Sequence, residues 1–493
     1  MTRLALLAPL AAGALLALAT ALPGPARAAE LPPEGRCPDA TGARGPEGPG
    51  EDEAPPLFRP GDVLGLHDLL ALGRLFPPEI WSWREVFFHE GMRLEIGACH
   101  RRYPVADFYR EATERFSGDV RLDEDGNLHG YVAGQPFPWR ELDADDPAAG
   151  TRWAWNYLHR YVGAGPVGRF RILDLPGRVG SEQIYEGDFF WLRTAHRADL
   201  AVSGYRVPEA DESVWVAGGR FDEPFSARHL AWRQLRPLEA ERDFKEPDDT
   251  FVYVPTMRKP RRAASSWVDG IFTPRYTVSG DSGGGPVPFG AGGSSIAPNV
   301  ESIQPTAGLS IAATEDIRRG FTGLALRPNG YAWKVLGEQE VLAPLNARED
   351  GWPLVENRNY GPSGLSVASD RWDLRQAVVI EGLARRRVDG VAAVVLWIDV
   401  QTAQPLYVIT KRKNGLLLDV GILVHRFSGD RPGYPPWPGG EEARVFDPVA
   451  ASFYFVPGGG AGWRRESYDV RSVPLSPKEI RRRTSTSELT KGR

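Results

Sequence analysis

Between residues 168 and 426 short runs rich in aromatic and β-branched side chains recur, each bounded by Gly, Pro, Asn or Asp. Such runs are too short for amphipathic helices, and turn signals every 10–20 residues predict a meandering antiparallel sheet. Ten strands are expected: Arg169–Leu173, Asp188–Thr194, Ser213–Ala217, Ala227–Leu235, Thr250–Pro255, Ala332–Leu336, Gln376–Glu381, Val391–Val400, Pro405–Thr410 and Leu416–Phe427. Helical spacing appears instead in His67–Phe76 and Val105–Phe116, and again from Gly150 to Tyr161, where Trp153, Trp155, Leu158 and Tyr161 fall near one face. At 493 residues the chain exceeds what one core organises, about 250–300 residues, so two subdomains or one large β-rich unit with insertions are expected.

The first residues speak to address. Arg3, an Ala/Leu-rich run from Leu4 to Leu22, the breaker Pro23-Gly24-Pro25 and the small-residue pattern Ala26-Arg27-Ala28 together read as a cleavable signal peptide over 1–28. An uncleaved anchor and a lipoprotein are the alternatives, the latter opposed by the polar Pro33-Glu34-Gly35-Arg36 before the first cysteine. No later window holds about 18 consecutive apolar residues. Cleavage moves the formal net charge from −5 to −7, because Arg3 and Arg27 leave, and that balance gives no support to a nucleic-acid partner. Cys37 and Cys99 are the only two cysteines; in an oxidising compartment they form one disulfide or remain two thiols.

The expected layout is a signal peptide (1–28), a disordered acidic Pro/Gly-rich arm (29–60), a helical region (61–126), the sheet domain (127–475) and a solvated basic tail (476–493). The tail carries Lys478, Arg481, Arg482, Arg483, Lys491 and Arg493 and could meet anionic lipid headgroups.

Motifs for chemistry are sparse. Gly280-Asp281-Ser282-Gly283-Gly284-Gly285-Pro286 resembles the nucleophile loop of chymotrypsin-like proteases, and Thr194-Ala195-His196 could stand for the base. The loop has one Gly too many, and the interval between the two pieces is too short for two barrels. The eight His make no H-x-x-x-H or H-x-H pair, and phosphate-binding glycine loops are missing. Neither catalysis nor a cofactor is expected. One segment pairs an apolar strand with cations: Thr250–Pro255 runs into Met257-Arg258-Lys259-Pro260-Arg261-Arg262, a pattern for an apolar ligand with an anionic head.

Several of these residues carry a family resemblance. Gly134-Gln135-Pro136-Phe137-Pro138, followed by Ala154-Trp155-Asn156 and Arg160-Tyr161, resembles segments of the family called domain of unknown function 1329. So do Phe251–Pro255 with Arg258, Arg261, Arg262 and Ala263; Tyr331–Gly337 with Glu340, Val341 and Pro344; and Arg371-Trp372 with Ala392–Asp399 and Gln404–Tyr407. The glycine-rich stretch Gly280–Gly293 departs from the family pattern. The resemblance implies an exported Gram-negative protein, periplasmic or peripheral at the outer membrane. Its fold would be similar to the lipoprotein carriers LolA and LolB: an open half-barrel of curved antiparallel sheet, helices closing its concave face. Family members are often encoded beside envelope transporters of the resistance-nodulation-division class.

The implied function is passive binding or shuttling of a lipid or other lipophile, with an envelope transporter or an outer-membrane protein as the expected partner. Trp155, Tyr253, Trp333, Trp397 and Tyr407 are the expected apolar contacts, and Arg258, Arg261 and Arg262 the headgroup partners. A docking accessory without a ligand is the competing class, and a hydrolase using Ser282 the third.

Overall fold

The computed structural model describes residues 31–39, 56–143, 145–175, 183–210, 212–255, 258–262, 276–278, 309–311, 325–351, 359–388, 391–456 and 462–490. The expected signal peptide, residues 29–30 and 40–55 of the arm, and the Gly280–Gly293 stretch with Ser282 lie outside them.

The strands are β1 (Val63–Leu64), β2 (Leu94–Cys99), β3 (Arg121–Leu122), β4 (Leu128–His129), β5 (Val167–Leu175), β6 (Gln183–Arg193), β7 (Ser213–Glu223), β8 (Ala231–Pro237), β9 (Asp249–Val254) and β10 (Lys259–Arg262). They continue as β11 (Tyr276–Val278), β12 (Leu309–Ile311), β13 (Tyr331–Ala343), β14 (Arg371–Val388), β15 (Val391–Asp399), β16 (Pro405–Lys411), β17 (Leu417–Phe427), β18 (Phe446–Phe455) and β19 (Gly462–Arg471). The helices are α1 (Leu66–Leu70), α2 (Pro78–Ser82), α3 (Arg84–Phe87), α4 (Asp107–Phe116), α5 (Ala149–Leu158) and α6 (Pro477–Thr484). All ten expected strands form, mostly longer than their apolar runs, because hydrogen bonding carries a ladder past its apolar centre. A short strand, β4, also forms at Leu128–His129.

A single antiparallel path runs β13-β14-β15-β16-β17-β18-β19-β5-β6-β7-β8-β9-β10. The order is sequential apart from one jump, where β19 joins β5. Beside this path β2 pairs in parallel with the start of β14, and β1 pairs with β2. The carbonyls of Leu374 and Gln376, two residues apart, accept from His100 and Val400, so β2 continues the edge that β15 occupies.

Curvature follows from one short helix. Flat, thirteen strands at about 4.8 Å would spread roughly 60 Å, whereas a helix is about 10–12 Å wide. Yet α5 packs on both halves: Trp155 and Leu158 sit among Phe170, Phe189, Trp215 and Trp232, while Trp153, Ala154 and Tyr157 sit among Ile380, Leu396, Val408 and Phe453. The sheet therefore wraps around α5, and that face is concave.

The α5 contact with edge strand β13 depends on Gly150. A Cβ there would lie 2.8–2.9 Å from the backbone of Lys334. Alanine favours a helix interior over glycine by about 1 kcal/mol, but rigid backbone on both sides should outweigh that gain. Gly150→Ala is expected to lower the unfolding free energy by about 1–2 kcal/mol in thermal or urea melts. A stabilised variant would show that α5 does not seat so tightly.

Among the described residues β10 and β13 do not pair, so the sheet is not closed into a barrel. Residues 325–330 bridge the gap instead. Asp248 accepts from Arg236 (Nε 2.9 Å, Nη2 2.8 Å) and from Arg327 Nη2 (2.7 Å), while Arg236 Nη1 donates to the Leu326 carbonyl (3.2 Å). Asn329 Nδ2 donates to Asn127 Oδ1 and to the Ala240 carbonyl, both at 2.9 Å.

The convex face is covered at both ends of the sheet. Leu69, Ile80 and Phe87 of α1–α3 pack on Val395, Ile409 and Val420, so the helical N-terminal region is a layer on this sheet. Cys37 and Cys99 form a disulfide, and Gly35 N donates to the Cys99 carbonyl (2.8 Å), which ties residues 31–39 to β2. The basic tail folds as the capped helix α6, with Lys478, Arg481 and Arg482 exposed. Glu479 Oε2 accepts from Ser476 N (3.1 Å), and Pro477 follows the cap, where no N–H is needed. Beyond α6, Leu489 is buried with Ala231 and Tyr253, and that apolar anchor holds the segment down.

Candidate functional site

At the C-terminal end of α5 three ionisable side chains meet inside the concave face. The His159 ring stacks on Trp155 one turn earlier (5.7 Å between centroids, 9° between planes) and lies 4.3 Å from the Tyr131 ring. Its Nδ1 is 2.7 Å from Arg193 Nη2. Arginine only donates, so Nδ1 accepts and the imidazole proton sits on Nε2. Nε2 lies 3.0 Å from Glu241 Oε1, off the best hydrogen-bonding line. His196, in a left-handed backbone conformation (φ 59°), donates from Nδ1 to the Val132 carbonyl (2.8 Å) and faces Glu241 Oε2 with Nε2 (2.9 Å).

Burial pushes His159 down to about 3, helped by Arg193 and opposed by Glu241. It is therefore neutral near pH 7. Burial acts to raise Glu241, but His196 and His159 outweigh it and hold the carboxyl well below its usual range. The centre is thus a fixed carboxylate between two imidazoles. A cavity of about 20 Å³ beside it, lined by Tyr109, Tyr131, His159, Arg160, Arg193 and His196 among others, has room for about one water. Its described lining has no Ser, Thr, Cys or Lys. Both His196 nitrogens are engaged, which leaves none to take a serine proton, and Ser282 is outside the described residues.

A wall of tryptophan and arginine continues from this centre. Trp191 (β6) and Trp215 (β7) meet edge to face at 6.4 Å. The Arg160 and Arg193 guanidinium groups lie 5.6 and 5.8 Å from the Trp191 ring, and that of Arg236 4.6 Å from Trp215. Most buried indoles elsewhere are satisfied: Trp155 donates to Gly126 O (2.9 Å) and Trp333 to Pro328 O (2.7 Å). The Nε1 atoms of Trp191 and Trp215 are buried with no acceptor among the described residues. An unmet buried donor costs about 1–3 kcal/mol, so such groups call for an acceptor.

The residues expected to contact ligand do not share one wall. Trp155 and Trp333 lie on the concave face, in the two separate clusters that flank α5. Trp397 and Tyr407 lie on the convex face under α1–α3, Trp397 donating to Gln339 Oε1 (2.9 Å) and Tyr407 to the Leu342 carbonyl. Tyr253 is also convex, packed near Leu489. Arg258 is exposed in the β9–β10 turn, and Arg262 pairs with Asp249; Arg261 is opposite Val252 in register. The cause is parity. Both faces of this sheet are covered, so alternation marks two faces without saying which is concave. Trp191 and Trp215 lay within expected strands but carried no mark of facing inward. His159, His196 and Glu241 share no sequence spacing and meet only through the fold.

Residues 86–278 match the family model described as Protein of unknown function (DUF1329). The motif blocks at 331–344 and 371–407 lie beyond that match. Similar solved structures include a domain described as an outer membrane lipoprotein-sorting protein from Vibrio parahaemolyticus, at 13% identity, covering 70% of this chain and 100% of that one, TM-score 0.38. A DUF1329 family protein from Desulfovibrio piger matches at 14% identity over 70% of this chain and 99% of that one, TM-score 0.38. A LolA superfamily protein from Nitrosomonas europaea matches at 13% identity over 66% and 96%, TM-score 0.30. No curated protein matches the sequence.

Proposed function

We propose that this chain, whose residues 86–278 match the DUF1329 family, is an exported envelope protein that binds a lipophilic molecule against the concave face of its sheet. The observation that carries this reading is the pair of unmet indole N–H groups of Trp191 and Trp215 within an aromatic wall. An ester or carboxyl oxygen of an amphiphile would accept from them, while its hydrocarbon is hidden from water at about 25 cal/mol per Å². The Cys37–Cys99 disulfide is in keeping with an oxidising compartment. Because the cavity beside His159 is only about 20 Å³, loading requires α5 to yield space. The unclosed edge between β10 and β13 is where the wall can part without breaking a strand ladder.

The test is solvent extraction and mass spectrometry of the purified mature protein. A lipid is expected to co-purify, and Trp191→Phe with Trp215→Phe, which removes both donors and keeps the apolar wall, is expected to lower its occupancy several-fold. Absence of any extractable lipophile would favour the second reading, a docking accessory of an envelope transporter that binds no ligand. That reading draws on the degree to which α5 fills the concave space.

A further inference from the structure

The C-terminal helix α6 covers a second polar centre, on the convex face. In the strand register Phe190, Gly218, Arg233 and Phe251 form one row across β6–β9. Glycine at 218 leaves a dent. A Cβ there would lie 3.0 Å from Phe190 Cζ and 3.1 Å from Arg233 Cδ, so the arginine lies across the glycine onto the phenylalanine ring. The Arg233 guanidinium is 4.9 Å from that ring, and Arg483 of α6 reaches the same ring at 5.6 Å.

Two guanidinium groups thus share one phenylalanine. Arg233 is only 8% exposed; its Nη1 donates to the Trp232 carbonyl (2.8 Å). The Nε atoms of both Arg233 and Arg483 are buried with no acceptor among the described residues. Among the described residues no carboxylate forms an ion pair with either one. Asp188 and Glu479 act on Arg483, and Glu488 on Arg233, only at longer range. Burial, and then Arg220, Arg483 and Arg482, push Arg233 down to about 9. Buried arginine is normally paired, bidentately with carboxylate or phosphate.

A cavity of about 760 Å³ opens alongside, within the size range of small-molecule sites. Its lining includes Leu235 and Ala210, and Leu235 is two residues from Arg233 on the same face of β8. Lys478, Arg481 and Arg482 stand at the helix side, with Glu209, Glu212 and Glu488 also in the lining; Glu209 is 3.8 Å from Arg481.

We propose that Arg233 and Arg483 form an oxyanion site for a phosphate-type group, carried either by free phosphate or by a lipid headgroup whose chain lies in the adjoining cavity. The site is on the opposite face of the sheet from the Trp191–Trp215 wall, and it stands or falls independently of lipid binding there.

Calorimetric titration of the mature protein with inorganic phosphate, and with dihexanoyl phosphatidic acid below its micelle concentration, tests the site. Saturable binding is expected, weakened at least tenfold in Arg233→Met and in Arg483→Met. Phosphatidic acid binding tenfold or more above phosphate identifies a lipid headgroup; equal binding identifies the free anion. Methionine keeps the contact with Phe190 and removes the unpaired charge, so Arg233→Met should melt at or above the wild-type temperature in phosphate-free buffer. If that variant does not fold, Arg483→Met on the helix carries the test alone. Failure of both anions to bind, or equal binding by wild type and variants, overturns the proposal.

Discussion

Asp248→Ala should cost about 3–5 kcal/mol of unfolding free energy, the usual penalty for breaking a buried ion pair from one side. Asp248 is fully buried and accepts from both Arg236 and Arg327, themselves 2% and 1% exposed at the side chain. Removing it takes the carboxylate from two buried guanidinium groups near the gap between β10 and β13, where among the described residues no strand ladder joins the sheet edges. The group replaced as a unit, Asp248→Leu with Arg236→Met, Arg327→Met and Gln234→Leu, since Gln234 Nε2 also donates to Asp248 (2.7 Å), should recover much of the loss, because apolar groups of similar size need no pairing. Urea denaturation gives both numbers. Hydrogen exchange should also quicken at the start of β13, which residues 325–330 anchor. A loss under about 1 kcal/mol for Asp248→Ala, with unchanged exchange, would mean the bridge does not hold the sheet edges.

The second large effect is on pH. Burial pushes both His159 and His425 down to about 3, His425 with a further push from Arg160. In the unfolded chain each titrates near 6.5. The folded values lie below the unfolded ones, so as pH falls through 6.5 the unfolded state takes up protons that the folded state refuses. Stability therefore drops by about 1.4 kcal/mol per pH unit for each histidine. Asp447 acts oppositely. Burial raises it to about 6, against Ser472 and Tyr434, so protonation between about 6 and 3.8 favours the folded form and offsets one histidine. Glu241, held low, adds stability that is lost only below the ordinary carboxylate range. Between pH 7.5 and 5 the net loss is expected on the order of 2–3 kcal/mol. Chemical denaturation at several pH values measures it, and His425→Gln should flatten the slope. Stability that is level or rising from pH 6.5 to 5 would contradict neutral burial of these rings.

How much was legible can be seen at particular strands. β15, with its run Val391–Ile398, and β17, with Leu417–Phe427, announce themselves because apolar and β-branched residues are dense between turns. β19 does not. Its sequence Gly-Trp-Arg-Arg-Glu-Ser-Tyr-Asp-Val-Arg reads as a charged loop, yet it lies between β18 and β5 in the middle of the sheet. Its charges survive there because they meet others: Glu466 accepts from the Tyr468 hydroxyl, and Arg465 Nη1 donates to Gly364 O (2.6 Å). Tyr468 lies on the same strand, but the Gly364 carbonyl comes from a distant segment, and no local pattern announces it.

The site divides in the same way. Sequence by itself determined that this is a large antiparallel sheet protein with a helix at α5, and which side chains are apolar enough to be buried, because those follow from local periodicity and hydrophobicity. Only the tertiary structure decided which face of each strand became concave, that the segment after α6 is anchored through Leu489, and that His159, Glu241 and His196 converge. Alternation has a period of two whichever face turns inward, and the partners of buried charges such as Asp248 come from far along the chain.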